Sequence, residues 1–233
     1  MRTVFAFDVD GVLCERGKNI DPDFQRWFID WMKDKYVTIV TGNTREKTIE
    51  KIGLEIVKHS EFSFFCMGNS IWYKDEEVLI NQFSLYEEEL RFINNYINSI
   101  NFTDKNGNYI QMRKGTLNLS FTGQDSSEES RKKFIQYDKE TNERINFIKK
   151  FTDLFPRFQA GIGGDVSVDI FLRSCGKEQI LELLFAEHVI FFGDRVDEYG
   201  VDHVLYKMCE ASRYKGFAIT DSYHQTKGIL ETL

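Results

Sequence analysis

The sequence predicts an α/β fold, a Rossmann-like doubly wound parallel-sheet core interrupted by an inserted α+β segment, and three observations carry that expectation. Short apolar runs such as TVFAF, VTIV and HVIFFG alternate with helical patterns, the rhythm of strands joined by right-handed crossovers. Polar side chains gather directly after those runs, at the carboxyl ends where open α/β sheets bind ligands. The middle of the chain abandons the rhythm for a hairpin and a strand of alternating polarity. These patterns place the core in residues 1–82 and 173–233 and the insertion in 83–172. With 233 residues, 42% of them hydrophobic and 15% aromatic, the chain can bury a substantial core.

Each element has its own warrant. TVFAF opens the core as a buried strand. In DPDFQRWFIDWMKDK, Asp21 is the N-cap, Pro22 occupies the first turn, and Phe24, Trp27, Phe28, Trp31 and Met32 recur at helical spacing as a core-facing stripe. VTIVTGNT is a second buried strand ending at Thr41, followed by the charged helix REKTIEKI, which stops at Gly53. Within the insertion, NYIQMRKGTLNLSF folds back around Lys114 and Gly115 as a hairpin. SSEE, with Ser126 and Glu129 as a capping box, opens a long polar helical region. VSVDIF alternates, so Ser167 and Asp169 share one face while Val166, Val168 and Ile170 share the other. The rhythm then returns as helix KEQILELLF, strand HVIFFGD, helix DHVLYKM and strand GFAIT.

Charge and composition narrow the classes of partner. The 37 acidic and 30 basic residues leave a net charge of -7, which offers no footprint for nucleic acid and is repelled by anionic membranes. An anionic ligand must therefore meet local basic groups. Cys14, Cys66, Cys175 and Cys209 are scattered, as are the histidines, so no zinc site is expected and the thiols read as reduced. The N-terminus does not resemble a signal peptide and no apolar stretch reaches bilayer length, so a cytoplasmic, soluble protein is expected.

Asp8 and Asp10 stand at the mouth of the first strand. Two like charges leave water there only if a cation, hydrogen bonds or chemistry compensates. Thr41 ends the second strand and Asp194 follows VIFFG, so converging strand ends present a hydroxyl and three carboxylates. Oxygens of that kind suit Mg²⁺, which keeps water and phosphate among its ligands. Side chains two apart on an extended segment lie on the same side, so one aspartate can attack a substrate while the other moves protons. DVDG is not an EF-hand start, because that loop needs glycine sixth and glutamate twelfth, whereas Gly11 is fourth and Asn19 twelfth. GIGGD precedes a strand with the wrong glycine spacing for a dinucleotide loop. Taken singly, Lys177 reads as a solvated lysine at a helix start and Arg131 as a surface residue; only the ordered set gives them a role.

FDVDGVL, VTGNT, Lys177 and FFGDRVDEYGVD resemble the four ordered motifs of the haloacid dehalogenase superfamily, with the insertion where its larger cap domain sits. From Phe7 to about Thr220 the chain is more similar still to the eukaryotic-type phosphomannomutases, whose cap segments RKGTLNLSFTG, SSEESRKKFIQYDK and GGDVSVDIF resemble. That resemblance implies Asp8 as the nucleophile that becomes an aspartyl-phosphate and Asp10 as general acid and base. It implies that Thr41, with Gly42 and Asn43 beside it, binds the transferring group and that Lys177 neutralises it and orients Asp8. Mg²⁺ is the implied cofactor, at Asp8, Asp10 and Asp194 with Asp202 in support. In the cap, Arg113 and Arg131 match arginines that hold the non-reacting phosphate, and Ser167 and Asp169 match residues that contact the sugar.

The departures concern the substrate. Gln124 stands where those mutases carry a further phosphate-binding arginine, Val201 replaces an asparagine before Asp202, and the N-terminal substrate arginine aligns only roughly with Arg16 or Lys18. The expected ligand is a small sugar phosphate, with a hexose bisphosphate as activator, and the resemblance leaves room for a homodimer through the cap. The implied activity is a phosphomannomutase-like phosphotransfer. A sugar-phosphate phosphatase is the alternative, and a non-catalytic sugar-phosphate sensor is disfavoured by the presence of Asp8, Asp10, Lys177 and Asp194.

Overall fold

The computed structural model describes residues 2–233. The chain opens with β1 (Thr3–Phe7), α1 (Pro22–Met32), β2 (Tyr36–Val40) and α2 (Arg45–Ile52), followed by α3 (Leu54–His59), β3 (Phe62–Phe65), β4 (Ser70–Tyr73) and β5 (Glu76–Ile80). The intervening segment, which we assign to a cap over 83–172, holds α4 (Glu87–Ser99), β6 (Ile110–Arg113), β7 (Thr116–Ser120), α5 (Glu128–Thr141), α6 (Glu143–Leu154), β8 (Phe158–Gly161) and β9 (Ser167–Leu172). The last stretch returns as α7 (Ile180–Leu183), β10 (His188–Gly193), α8 (His203–Glu210), β11 (Lys215–Ala218) and α9 (Ser222–Leu230).

Two sheets organise these elements. One has seven strands in the order β11-β10-β1-β2-β3-β4-β5, the other four in the order β6-β7-β9-β8. From β11 to β3 the pairings are parallel, and β4 and β5 add an antiparallel edge. β1 lies in the middle, with Phe7 opposite Phe192 on one side and Ile39 on the other, so its carboxyl end is flanked by two further strand ends. Helix α1 covers one face. The Asp21 side chain accepts from the backbone N–H groups of Asp23 and Phe24, and Phe28 meets Phe7 edge-on at 5.3 Å while Phe192 stacks on Phe7 at 4.7 Å. Of the apolar stripe, Phe24, Phe28 and Met32 are buried, and Trp27 and Trp31 pack at its margin.

The four-stranded sheet separates its faces by polarity. Leu117 lies opposite Ile170 and Leu119 opposite Val168, and all four belong to a second apolar core with Phe121, Phe134, Phe147 and Phe151. Asn118 opposite Asp169 and Ser120 opposite Ser167 form the other face, which looks into the cleft between the sheets. The alternation in VSVDIF therefore marks a sheet with one apolar and one ligand-facing side.

Three elements depart from expectation. The cap of α5 is Ser127, which accepts from the N–H of Ser130, while the Ser126 hydroxyl is taken by Thr122 at 2.8 Å. The long polar helix is two helices, because Asn142 adopts a left-handed φ of 54° and breaks the run between α5 and α6. KEQILELLF forms a 3₁₀ turn over Lys177–Gln179 and only one turn of α-helix before Leu184 turns extended. Ile180 and Leu184 reach the core of the seven-stranded sheet, but exposed Phe185 does not, so the apolar run beyond Leu184 has no face to bury.

Phe147 contacts Tyr96, Phe121 and Phe151 and is completely buried. Phe147→Ala is expected to cost about 3–5 kcal/mol, read from urea unfolding curves. A loss below about 1 kcal/mol would mean that the second core is loosely packed.

Candidate active site

The floor of the cleft is the carboxyl end of β1. The Asp8 N–H donates to the Phe192 carbonyl at 3.0 Å, extending the ladder one residue, after which Gly11, at φ +78°, turns the chain. A Cβ on Gly11 would lie 2.1 Å from Asp194 Oδ2, so only glycine lets this loop pass beside the β10 aspartate. Asp8, Asp194 and Asp202 each bring an oxygen within 4.8 Å of the others. Buried Lys177 binds this group from below, with its Nζ 3.0 Å from Asp8 Oδ1 and 2.6 Å from Asp202 Oδ1. Asp202 also accepts the N–H groups of Asp194 and Arg195, at 3.1 and 3.0 Å, which explains why it does not cap α8.

Electrostatics divide the two N-terminal aspartates. Burial raises the Asp8 pKa, Lys177 lowers it and Asp202 and Asp194 raise it again, leaving it at about 8. Burial and Asp202 likewise push Asp194 up to about 6 against the pull of Arg16 and Arg195. Asp10 goes the other way. Burial opposes its charge, but Lys51 at 2.7 Å and hydrogen bonds from Lys51, Asn43 and the Gly17 N–H outweigh it and lower the pKa. The Asp10 carboxylate is thus turned to α2 and stands apart from the three gathered oxygens. Lys177 is held charged because Asp202 and Asp8 outweigh its desolvation.

Most of the remaining expected residues share one cavity of about 220 Å³. Thr41 is buried beside Asp8, and its Oγ1 accepts the Asn43 N–H at 3.2 Å. Arg113 donates to the Gly42 carbonyl at 2.9 Å, linking the β6 end of the cap to the loop after β2. Ser167 and Asp169 face the same space, Asp169 accepting from Asn118 at 2.8 Å. Gln124 and Arg131 line it from the cap, and Arg16 lines it while pairing with Asp194. Asp194 and Asp202 lie behind the cavity wall.

Sequence reasoning missed three cationic contributors. Arg195 donates to Asp165 and to the Gly163 carbonyl, tying the loop after β10 to the GIGGD turn of the cap. Lys51 and Lys47 read as solvated charges of a polar helix, yet both line the cavity. The available signal was their i, i+4 spacing on a helix that begins directly after a ligand-binding strand end.

The fold of the chain is shared with solved structures of low identity. The C. albicans trehalose-6-phosphate phosphatase C-terminal domain superposes with a TM-score of 0.62 at 12% identity, over 100% of this chain and 92% of that one. The Plasmodium falciparum IMP-nucleotidase gives 0.62 at 14%, over 99% of this chain and 68% of that one. This likeness defines the fold, a parallel α/β sheet with an inserted second sheet. The eukaryotic phosphomannomutase family model matches residues 25–232, and the chain belongs to that family. It is 32% identical to the phosphomannomutase of Spinacia oleracea over 228 residues, covering 93% of this chain and 90% of its relative. It is 29% identical to a probable phosphomannomutase of Caenorhabditis elegans over 219 residues, covering 88% and 86%. Among the described residues no helix is long and apolar enough to cross a membrane.

The raised Asp8 pKa has a signed consequence for the metal-free protein. Unfolded Asp8 releases its proton near 3.8 and folded Asp8 near 8, so between those values the unfolded state binds fewer protons and stability falls as pH rises. The expected decline approaches about 1.4 kcal/mol per pH unit between roughly pH 5 and 8, read by chemical denaturation in chelator. Asp8→Asn should flatten that slope, and a slope unchanged in the variant would place the titration elsewhere.

Proposed function

We propose that the chain is a Mg²⁺-dependent phosphotransferase acting on a hexose phosphate through an aspartyl-phosphate on Asp8, interconverting mannose 6-phosphate and mannose 1-phosphate in the manner of its family. The observation that carries this reading is the polarity of one cavity. Its floor offers the Asp8 carboxylate beside Lys177, backed from behind the wall by Asp194 and Asp202, and its roof offers Arg113 and Arg131. A substrate with a reacting phosphoryl group at one end and a second phosphate at the other fits that division.

The donor set suits a hard divalent cation. Three crowded carboxylates, two with raised pKa values, are relieved by a cation that carboxylate oxygens favour. Asp8 and Asp194 would hold it, with Asp202 fixed behind them by Lys177 and two backbone N–H groups. Bound there, it would screen the phosphoryl charge from Asp8. Lys177 keeps Asp8 oriented, and Thr41 at the neighbouring strand end offers a hydroxyl to the transferring group.

Asp10 is the proton carrier. Its lowered pKa makes the resting group a base, which takes the proton of the sugar hydroxyl as that oxygen attacks phospho-Asp8 and frees the Asp8 carboxylate. The resulting bisphosphate turns over, Asp8 attacks its other phosphate, and Asp10 returns the same proton to the departing sugar oxygen. One proton and one phosphoryl group are conserved through the cycle. A phosphatase reading, with water as acceptor, is favoured by one observation: Gln124 brings no charge to the roof.

Asp8→Asn is expected to abolish turnover, and Asp10→Asn to lower it by about 10² or more while ligand still binds. The assay is incubation of mannose 1-phosphate with glucose 1,6-bisphosphate and Mg²⁺, following isomer and inorganic phosphate together. Retained activity in Asp8→Asn overturns the mechanism, and phosphate release without isomer selects the phosphatase.

A further inference from the structure

Lys47 projects from α2 into the cleft, and the mechanism above does not use it. The lysines nearest the aspartates are matched. Lys51, one turn along, is bonded to Asp10, and Lys177 to Asp8 and Asp202. Among the described residues Lys47 makes no ion pair and no side-chain hydrogen bond, and neither does Arg131 on α5 of the cap. Arg113 reaches the Gly42 carbonyl, Gln111 and, at 3.8 Å, Asp169.

Arg113 and Arg131 from the cap and Lys47 from the core therefore line the cleft in addition to Arg16, Lys51 and Lys177, which are already paired with aspartates at its floor. Like charges in a partly desolvated space repel one another unless an anion enters between them. The repulsion is visible at Lys47, whose pKa is lowered by desolvation and then by Arg113 and Lys51. Gln124 cannot serve as another donor. Its amide nitrogen, with two hydrogens, already faces the Tyr109 carbonyl, the Asn118 carbonyl and Asn118 Oδ1 at 3.2, 3.3 and 3.2 Å.

We propose that Lys47 is a specificity-determining residue for the non-reacting phosphate, supplying from the core the third positive charge that Gln124 does not supply from the cap. The proposal rests on the sugar-phosphate reading above and adds a consequence to it. An anion gripped by Arg113 and Arg131 on one side and Lys47 on the other spans cap and core, so the second phosphate itself holds the cap shut. A third arginine on the cap would bind the phosphate without that coupling.

The test is calorimetric titration of the Mg²⁺-loaded chain with glucose 1,6-bisphosphate. Lys47→Ala is expected to weaken binding about 10- to 100-fold, the effect of losing one charged contact to phosphate, while Lys47→Arg keeps it within about threefold. Adding Gln124→Arg to Lys47→Ala should recover about tenfold in affinity, yet leave the bisphosphate less able to compact the protein in solution scattering. Affinity of Lys47→Ala within about twofold of the parent, or no recovery on adding Gln124→Arg, overturns the assignment. A parent chain that binds no bisphosphate at millimolar concentration removes the sugar-phosphate reading and this inference together. A parent that binds, with Lys47→Ala unchanged, removes the inference alone.

Discussion

The burial of Asp8, Asp194 and Asp202 around a single lysine is the constraint on which the rest of this structure depends. Carboxylates that crowd together out of water lose solvation and repel, and each neighbouring feature answers that cost. Lys177 is locked between two of them by a short 3₁₀ turn rather than a long helix, which keeps its ammonium fixed. Two backbone N–H groups satisfy the second oxygen of Asp202. Glycine is required where the chain passes the group. A Cβ on Gly11 would strike Asp194, and one on Gly193 would lie 2.7 Å from the Phe191 ring and 2.9 Å from Asp202 Cγ. A protonated Asp8 is no nucleophile, so the same crowding that raises its pKa makes its reactivity depend on what enters the cleft.

The cap meets this floor through polar contacts rather than a shared core. Its apolar cluster is distinct from those of the seven-stranded sheet, and only a small group, Met67, Phe171 and Val201, packs at the junction. Links between cap and core include the Arg113 bond to Gly42, the Arg195 bonds to Asp165 and Gly163, the Lys114 ion pair with Glu77, and a short bridge between Ile162 and Gly200. Each is a hydrogen bond or a partly exposed ion pair that water can replace at small net cost. Two separately packed bodies joined this way can part and close as units, which exchange of substrate requires and exclusion of water exploits.

How far the sequence could be read follows from where the physics is local. β1, β2, α1 and α2 were legible because apolar period, Asp21, Pro22 and Gly53 all act within a few residues. The polar face of β9 was legible for the same reason, since alternation in VSVDIF fixes which side chains share a face. Placement of Asp8, Thr41 and Lys177 in one cavity followed from strand ends and from resemblance. What failed was whatever depended on distant partners. Ser126 lost its capping role to a hydroxyl at Thr122, Asn142 broke a helix that composition alone would continue, and the helix after Lys177 ended once Ile180 and Leu184 had reached the core, leaving Phe185 exposed. Lys47, Lys51 and Arg195 were hidden because a charged residue on a polar helix or loop looks the same whether it faces open water or the cleft.

Asp8 and Asp10, two identical side chains two residues apart, carry opposite shifts. Asp8 points into a group of carboxylates and is raised, while Asp10 points at Lys51 and Asn43 and is lowered. Environment alone thus separates a group whose charge must be supplied by its surroundings from one that is a ready base. Nothing in that division distinguishes a mutase from a phosphatase, because both need an activated Asp8 and a proton carrier beside it. The difference lies at the roof, where a bisphosphate must be held long enough to turn over. Retention there scales with the number of cations that converge on the distal phosphate. Among the described residues Arg113 and Arg131 are the cations that the cap brings to the cavity, so on the proposed reading the outcome of the reaction depends on whether the core completes their site.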